Sequence, residues 1–538
     1  MGVIPKIKRF LNTVKYLKPV QIRYQLYYRF IAPYLPAGIY AKREYTSSIS
    51  PIRWEGGLAY KDSFLGKDRF IFLNTLHEFE KGIQWELDQY GKLWTYNLNY
   101  FDFLNQERID PENGLLLIKD YMGQKDHRTG KEPYPTSLRG INWIKFLSKH
   151  HIVDQKVNRF LYREFVRLSR RPEYHIMGNH LLENGVSLMF AGVYFQDTYF
   201  SQKAEKILKE QLREQFLRDG AHFELSPMYH RILLHRMLDV IYLLRLNNRD
   251  EGSLYSLVYE TTSRMLSWLD AVRYEDDAVP MVNDSVHGFA FNPEALFGFA
   301  SRIGIGWDPI PLKESGYRKF TDLPFEVFAD FGDIGPDYIP GHAHADTFNF
   351  EIYYNGSPLL VDSGTSTYAP GSRRHIERST AAHNTVVVND EPQSDIWGTF
   401  RVGRRAKILH FEESEYSAEG IHDGYKHLGL HHFRSLQMRD GTGVDIKDRI
   451  IRKKRTKYKA DAHFHFYPGI RPSLSEEKKV VIDDLGIEIL FDGDIKGIQV
   501  DLYKFATGYG NLVDAFKIRV SFSEELDTRF IHTRPEKS

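Results

Sequence analysis

The sequence predicts two unlike halves, a series of α-helical hairpins followed by an antiparallel β-sandwich. Three observations carry this. The 538 residues exceed what one hydrophobic core usually holds. From about Leu73 to Ala300 apolar residues recur at helical spacing, and after Pro309 the period shifts towards two. The expected units are an N-terminal extension over 1–72, a helical unit over 73–310 and a sandwich over 311–538, with the change of period near 305–325.

The extension begins MGVIPKIKRFLNTVKYLKPV, which is basic but lacks the continuous apolar stretch and small-residue cleavage site of a secretory signal. That favours the cytoplasm and leaves the periplasm open. Lys15 to Tyr34 mixes aromatic, aliphatic and basic residues, a pattern suited to docking on the helical unit or to peripheral contact with a membrane surface. Docking is the preferred expectation, because basic amphipathic helices are common on soluble proteins. No segment has the length and apolarity of a membrane span.

Lys plus Arg number 72 and Asp plus Glu 71, so no global field favours nucleic acid, and a polyanion must be met locally. Cysteine is absent, which excludes disulfides, thiolate catalysis and Cys-based metal sites and leaves His and carboxylates as metal ligands. The 33 tyrosines suit sugar contact as well as packing.

In the helical unit, Ile207, Leu208, Leu212 and Phe216, then Leu233, Met237, Val240, Ile241 and Leu244, mark apolar helix faces. Arg171-Pro172, Asp219-Gly220 and Ser226-Pro227 mark turns between them. Such hairpins close into a bundle or a toroid. In the second half Phe348, Phe350, Ile352 and Tyr354 alternate with Thr347, Asn349, Glu351 and Tyr353 and run into Asn355-Gly356, a two-residue hairpin signal. Further strands are expected at 385–388, 406–411, 464–467, 480–482, 487–491 and 516–522.

Three constellations have chemical potential. In Gly178-Asn179-His180-Leu-Leu-Glu183, Glu183 lies one helical turn beyond His180 and can orient its imidazole. The bland alternative is a helix start capped by Asn179. In Glu224-Leu-Ser226-Pro227-Met-Tyr229-His230-Arg231, Tyr229 stands at a helix start beside two cationic residue types that can assist its proton transfer. A packed Tyr with a capping Ser is the alternative. In Gly341-His342-Ala-His344-Ala-Asp346, with Asp362 and His383 downstream, the ligand types and loop placement suit a His/His/Asp metal site. In an ideal hairpin Asp362 faces Asn349, leaving His344 about five residues off, ~16 Å at strand rise. A bulge or fold-back before Thr347 is therefore needed for His344 and Asp362 to share a metal.

GNHLLEN, ELSPMYHR, GHAHADTFNF, LLVDSG and AAHNTVVV, in this order across the helix-to-strand boundary, resemble the heparinase II/III-like family and its relatives among alginate and heparan-sulfate lyases. The resemblance covers roughly 90–530 and implies an incomplete (α/α) toroid joined to a β-sandwich. It implies that Asn179 neutralises a substrate carboxylate with His180 beside it, that Glu183 orients His180, that Tyr229 protonates the leaving oxygen and in some members also removes the C5 proton, and that His342 reaches in from the sandwich. His344, Asp362 and His383 match the family's metal ligands, usually zinc in a supporting role, with a hydrogen-bonded cluster as the alternative. Asn97, Tyr100, Arg139, Asn142 and Trp143 are candidate sugar-subsite residues, helix packing being their alternative reading, and His230 and Arg231 join them. Arg373-Arg374-His375-Ile-Glu-Arg378 can bind an anion, with solvated loop charge as the default.

The function implied is β-elimination on a uronic-acid-containing polysaccharide. Two rivals stand beside it. A glycoside hydrolase on the same toroid needs a carboxylate pair, for which Glu183, Glu224 and Asp284 are candidates. A non-degradative glycan-binding or assembly protein of capsule or lipopolysaccharide production is the other.

Overall fold

The computed structural model describes residues 3–32, 45, 51–452 and 457–533. Two helices, α1 (Val3–Val14) and α2 (Pro19–Leu26), precede a small hairpin of β1 (Arg69–Phe72) and β2 (Thr75–Glu78). The helical half follows as α3 (Lys92–Tyr100), α4 (Pro111–Gly123), α5 (Pro133–Lys149), α6 (Gln155–Arg170), α7 (Gly178–Tyr194), α8 (Thr198–Gln215), α9 (Pro227–Leu246), α10 (Ser253–Val272) and α11 (Pro293–Arg302). Local chemistry sets their starts. Asp110-Pro111, Ser226-Pro227 and Asn292-Pro293 each place a capping oxygen on a first-turn N–H and a proline inside the first turn.

Helices α5, α7 and α9 are buried along almost their whole length, whereas α6 and α8 bury one face. Helix α7 packs on α5, α8 and α9, so helices buried nearly all round form an inner layer and amphipathic ones an outer layer. This is the incomplete (α/α) toroid, and a β-sandwich follows it.

The sandwich opens with β3 (Tyr317–Asp322), β4 (Phe325–Asp330), β5 (Phe350–Tyr354) and β6 (Ser357–Leu360), paired in that order. A short helix α12 (Ser372–Glu377) leads to β7 (Val386–Val388) and the two-residue strands β8 (Ile396–Trp397) and β9 (Arg401–Val402). The large sheet contains β10 (Ile408–Ser414), β11 (Ser417–His422), β12 (Leu430–Met438), β13 (Gly443–Arg452), β14 (Ala460–His465), β15 (Ser473–Glu476), β16 (Lys479–Ile482), β17 (Ile487–Gly508) and β18 (Asn511–His532). Phe325, Val327 and Ile352 from the small sheet meet Leu436, Ile446 and Val520 from the large one in the core between them.

Asn355-Gly356 forms the two-residue turn between β5 and β6, both residues at positive φ with Tyr354 opposite Ser357. The alternation before it does not separate core from solvent, because all of β5 is buried. Its outer face meets the helical half, where Tyr274 stacks on Tyr353 at 3.6 Å and donates to Glu351 at 2.9 Å. Strands β11 to β13 were not expected, and their inward residues explain why. His422, His432, Arg434 and Asp448 are buried there as a hydrogen-bonded chain that breaks the apolar pattern.

Within the extension, expected to dock on the toroid, Lys18 pairs with Glu214 and Tyr28 donates to Pro172 O at 2.6 Å. Helix α1 instead meets the sandwich, where Arg9 pairs with Asp395 at 2.7 Å and Trp397 donates to Thr13 at 3.1 Å. Tyr34, the end of the basic aromatic stretch, lies outside the described residues.

Arg434 grips both Asp448 oxygens at 2.8 Å and donates to Phe348 O and Asn384 O at 2.6 Å each. Burial alone would raise the Asp448 carboxyl, but Arg434 and His432 hold it down at about 2. Its contribution to stability is therefore present above ~4 and lost as pH falls towards the folded value. Arg434→Met is expected to cost about 3–5 kcal/mol by leaving that carboxylate buried and unpaired. Urea unfolding followed by hydrogen exchange in the sandwich strands checks this, and an unchanged midpoint would show the pair to be dispensable.

Candidate active site

The site starts from an unusual helix entry. Helix α7 has no side-chain cap. Met177 and Gly178 both hold positive φ, and a Cβ on Gly178 would stand 2.5 Å from Glu224 Oε1. Glycine thus lets Glu224 close onto the helix end. Asn179 is the second residue of α7 and not its cap. Its backbone N–H donates to Glu224 Oε1 at 3.0 Å, and its Nδ2 lies 3.1 and 2.9 Å from the two carboxylate oxygens.

His180 follows, with 28% of its side chain exposed and Nδ1 3.1 Å from Glu173 Oε1. Glu173, not Glu183, orients it, and Asn184 fixes Glu173 by accepting from its N–H at 2.7 Å and donating to Oε2 at 3.1 Å. Glu183 turns into the toroid and meets Arg236 Nε at 2.9 and 3.2 Å, fully buried. Burial pulls the His180 imidazole down, yet attraction from Glu173 outweighs it and leaves the pKa raised.

Ser226 caps α9, accepting from Tyr229 N at 3.3 Å. Tyr229 is half-buried, its phenol 3.5 Å from Tyr368 Oη and its ring 3.9 Å from the His342 ring. Burial holds its pKa well above 10, so the phenol is protonated at neutral pH. Its neighbours do not assist. His230 bonds Met265 O at 3.0 Å, with burial lowering its pKa to about 3, and Arg231 donates to Phe291 O at 3.2 Å. Successive helix positions point in different directions, which sends both residues away from the phenol.

His342 is 13% exposed and lies between two carboxylates, Asp284 Oδ2 at 2.9 Å from Nδ1 and Glu224 Oε2 at 3.5 Å from Nε2. Asp284 also accepts from Arg374 Nη2 at 2.7 Å and meets His344 Nε2 at 2.9 Å. Burial works against its charge, but Arg374 and the two histidines hold its carboxyl well below the usual range. Arg374 and Arg378 are therefore buried structural cations and not solvated loop charge, Arg378 donating to Ala343 O at 2.8 Å.

The metal-ligand types gather differently from the expectation. Asp346, Asp362 and His383 bring ligand atoms within 4.8 Å of one another, whereas His344 gives Nε2 to Asp284. The chain does fold back, through a turn in which Asn349 N donates to Asp346 O at 2.8 Å and Phe348 takes a φ of 67°. The strand register slips by one residue between Ile352 and Tyr353, and Asn349 reaches Asp362 through its side chain, donating to Oδ2 at 2.7 Å. Among the described residues, His344 Nδ1, Asp346 Oδ2 and His383 Nε2 are buried without a hydrogen-bond partner.

Several candidate subsite residues are structural. Arg139 is 1% exposed, pairs with Glu164 at 2.8 Å and lies 4.7 Å over Tyr121. Asn142 donates to Tyr100 O at 2.9 Å and Asp102 at 2.6 Å, Trp143 is a core residue, and Asn97 donates to Leu93 O in its own helix at 2.8 Å. Tyr100 is buried against Tyr134, ring centroids 5.9 Å apart, and Tyr134 in turn packs on His180 at 4.3 Å. Tyr134, Glu173 and Tyr368 carry site roles that sequence reasoning did not give them, whereas Asp284, Asp346 and Arg374, each named there, take other roles than expected. Tyr134 is flanked by Pro133 and Pro135 at the start of α5.

The chain matches the family model described as Heparinase II/III N-terminus over residues 136–292 and the one described as Heparinase II/III-like, C-terminal over 305–533. A heparin-sulfate lyase of Bacteroides stercoris is 25% identical over 246 residues, 40% of this chain and 36% of that protein. FtsZ-localized protein C of Caulobacter vibrioides is 28% identical over 191 residues, 31% and 32% of the two chains. The match thus spans about a third of each relative's length. A solved structure of Heparinase III superposes with a TM-score of 0.67 at 15% identity, covering 98% of this chain and 94% of that one. This chain belongs to the heparinase II/III-like family and shares its fold.

The Glu173 contact gives a test. Glu173→Gln is expected to lower the His180 pKa, removing the attraction that lifts it above its ordinary ~6.5. The stability linked to that raised value is present below ~6.5 and lost as pH rises through the folded value. Histidine-selective NMR titration reads the shift, and an unmoved His180 resonance would remove Glu173 from the site.

Proposed function

We propose that this chain is a polysaccharide lyase that cleaves a uronic-acid-containing glycan by β-elimination. The observation that carries this reading is the gathering of Asn179 and His342 on Glu224, with Tyr229 packed ring to ring on His342 and His180 beside Asn179 at the start of α7.

The C5 proton of a uronate is a poor acid, because its removal adds charge beside an existing carboxylate. His180, held towards its cationic form by Glu173, is the group that meets that carboxylate, with Asn179 beside it and its amide bound to Glu224. Such a preorganised donor commonly contributes ~3 kcal/mol. His342, its Nδ1 tied to Asp284, presents Nε2 as the base for the C5 proton. Tyr229, protonated at rest, gives its proton to the departing C4 oxygen. One C–H and one C–O bond break, a C4–C5 double bond forms, and no water is consumed.

The carboxylates a hydrolase would need are engaged elsewhere. Glu183 pairs with Arg236, Asp284 with Arg374, and Glu224 accepts from Asn179. This speaks for elimination over hydrolysis.

The reading includes zinc. Asp346, Asp362 and His383, with the unpartnered His344 Nδ1 5.3 Å away ring to ring from His383, fit a divalent cation by donor type and by their unsatisfied atoms. Bound there, the ion would neutralise two acids and stiffen the loop carrying His342.

Purified protein screened on heparan-type, alginate-type and capsular uronans is expected to generate an ultraviolet-absorbing unsaturated end on at least one. Tyr229→Phe should cut that rate by about 10²–10⁴ with glycan binding retained. New reducing ends without the chromophore would sink the proposal in favour of hydrolysis, and a Tyr229→Phe variant with full function would leave glycan binding as the role. Elemental analysis is expected to find zinc near one per chain, lost in Asp362→Asn. Metal-free protein of unaltered thermal stability would show the cluster to be hydrogen-bonded only.

A further inference from the structure

Helices α1 and α2 are attached to the body the wrong way round for ordinary docking. An amphipathic helix on a globular protein buries its apolar stripe and exposes its polar one. Here polar side chains make much of the attachment, joined on α2 by Val20 against the helical core and Tyr24 stacked on Tyr174 at 4.8 Å. Arg9 pairs with Asp395 and Lys18 with Glu214, Thr13 bonds Val402 O at 3.2 Å, and the buried Gln21 donates to Ile176 O at 3.2 Å. The large apolar residues face outward. Ile7, Phe10 and Leu11 follow i, i+3, i+4 spacing on α1, and Ile22, Leu26 and Phe30 follow i, i+4, i+8 along α2 and the turn beyond it. Phe10 leaves 54% of its surface exposed and Phe30 59%.

Charge points the same way. Residues 1–43 contain no Asp or Glu, while Lys6, Lys8, Arg9, Lys15, Lys18, Arg23 and Arg29 fall within the first 32, in a protein whose net charge is +1. Lys15, Arg23 and Arg29 are exposed beside the outward apolar residues. Aromatic and aliphatic side chains flanked by cations on one exposed segment match the chemistry of an anionic lipid interface, where the rings enter the headgroup boundary and the cations meet phosphate. A soluble polyanion would use the cations but not the phenyl and isobutyl groups. No helix among the described residues is long and apolar enough to cross a membrane, so the contact is peripheral.

We infer that α1 and α2 form a membrane-surface anchor that seats the protein on anionic phospholipid while the cleft stays in the aqueous phase. The inference is independent of the lyase reading, since no anchor residue contributes to the site.

The test is sedimentation of the full chain with phosphatidylcholine vesicles containing about 30% phosphatidylglycerol, against pure phosphatidylcholine. The expected result is partition onto the anionic vesicles only, weakened by salt and reduced at least about tenfold in the Phe10→Glu/Leu11→Glu double variant. Thermal unfolding of that variant should match the parent, because both side chains project into solvent. Failure of the parent to bind anionic vesicles at low salt, or equal binding by the variant, overturns the proposal. So does a parent dimer that the variant converts to monomer, which would assign the patch to a second copy of the chain.

Discussion

The buried carboxylate of Asp284 ties the two halves into one site. It belongs to the loop between α10 and α11 of the helical half, while Arg374, His342 and His344, which converge on it, all belong to the sandwich half. A carboxylate at zero exposure is tolerable only when its charge is answered, and Arg374 answers it through both guanidinium ends. The same loop reaches α9. Ser226 donates to the Asp284 carbonyl at 2.8 Å while accepting the N–H of Tyr229, so the cap that starts the tyrosine's helix rests on the loop that orients His342. The stacking of Tyr229 on His342 follows from that shared support, not from a contact the two rings must hold alone.

A wall containing Glu173, Glu224 and Asp284 looks unsuited to an anionic substrate, and the chain has almost no net charge to help. The arrangement resolves this by giving each acid a local partner: His180 for Glu173, the Asn179 amide for Glu224, Arg374 for Asp284. What remains partly exposed is the imidazole of His180, the phenol ring of Tyr229 and an edge of His342. At separations of a few ångströms in a partly desolvated recess such near neighbours decide the field, because distant surface charge is screened.

Asn179-His180, Tyr229 and His342 stood out in the sequence because they sit in short strings at element boundaries, and the fold brings Asn179, His342 and Tyr229 into one chain of contacts through Glu224. Their partners did not stand out. Asp284 is 58 residues from His342 and 90 from Arg374, and only the closed seam makes them neighbours. Glu183 misled for a physical reason: i+3 spacing puts it near His180 on an isolated helix, but α7 is buried all round, and Glu183 was drawn to Arg236 on α9. Strand parity counted back from Asn355-Gly356 puts Asn349 opposite Asp362, but the ladder slips by one residue at Ile352, which pairs with Leu360, and the two meet only through their side chains. Beyond the strand the positive φ of Phe348 turns the chain, and Asp346 rather than His344 joins the acidic cluster. Strands β11 to β13 stayed hidden because buried, paired polar residues (His422, His432, Arg434, Asp448) interrupt their inward apolar ones.

The resting protonation pattern argues for a reaction type more strongly than any single residue does. A hydrolase must activate water, which calls for a free carboxylate beside a space for that water. Here burial keeps the phenol protonated, Glu173 keeps the imidazole of His180 towards its charged form, and the nearby carboxylates are held by cations or amides. Such a site is prepared to give a proton and to accept developing negative charge, with the second imidazole aligned by Asp284 to take a proton in return. Those are the demands of an elimination next to an acidic group. On the proposed reading, burial and fixed hydrogen bonds set when the seam closes answer them, and little reorganisation is left for the reaction itself.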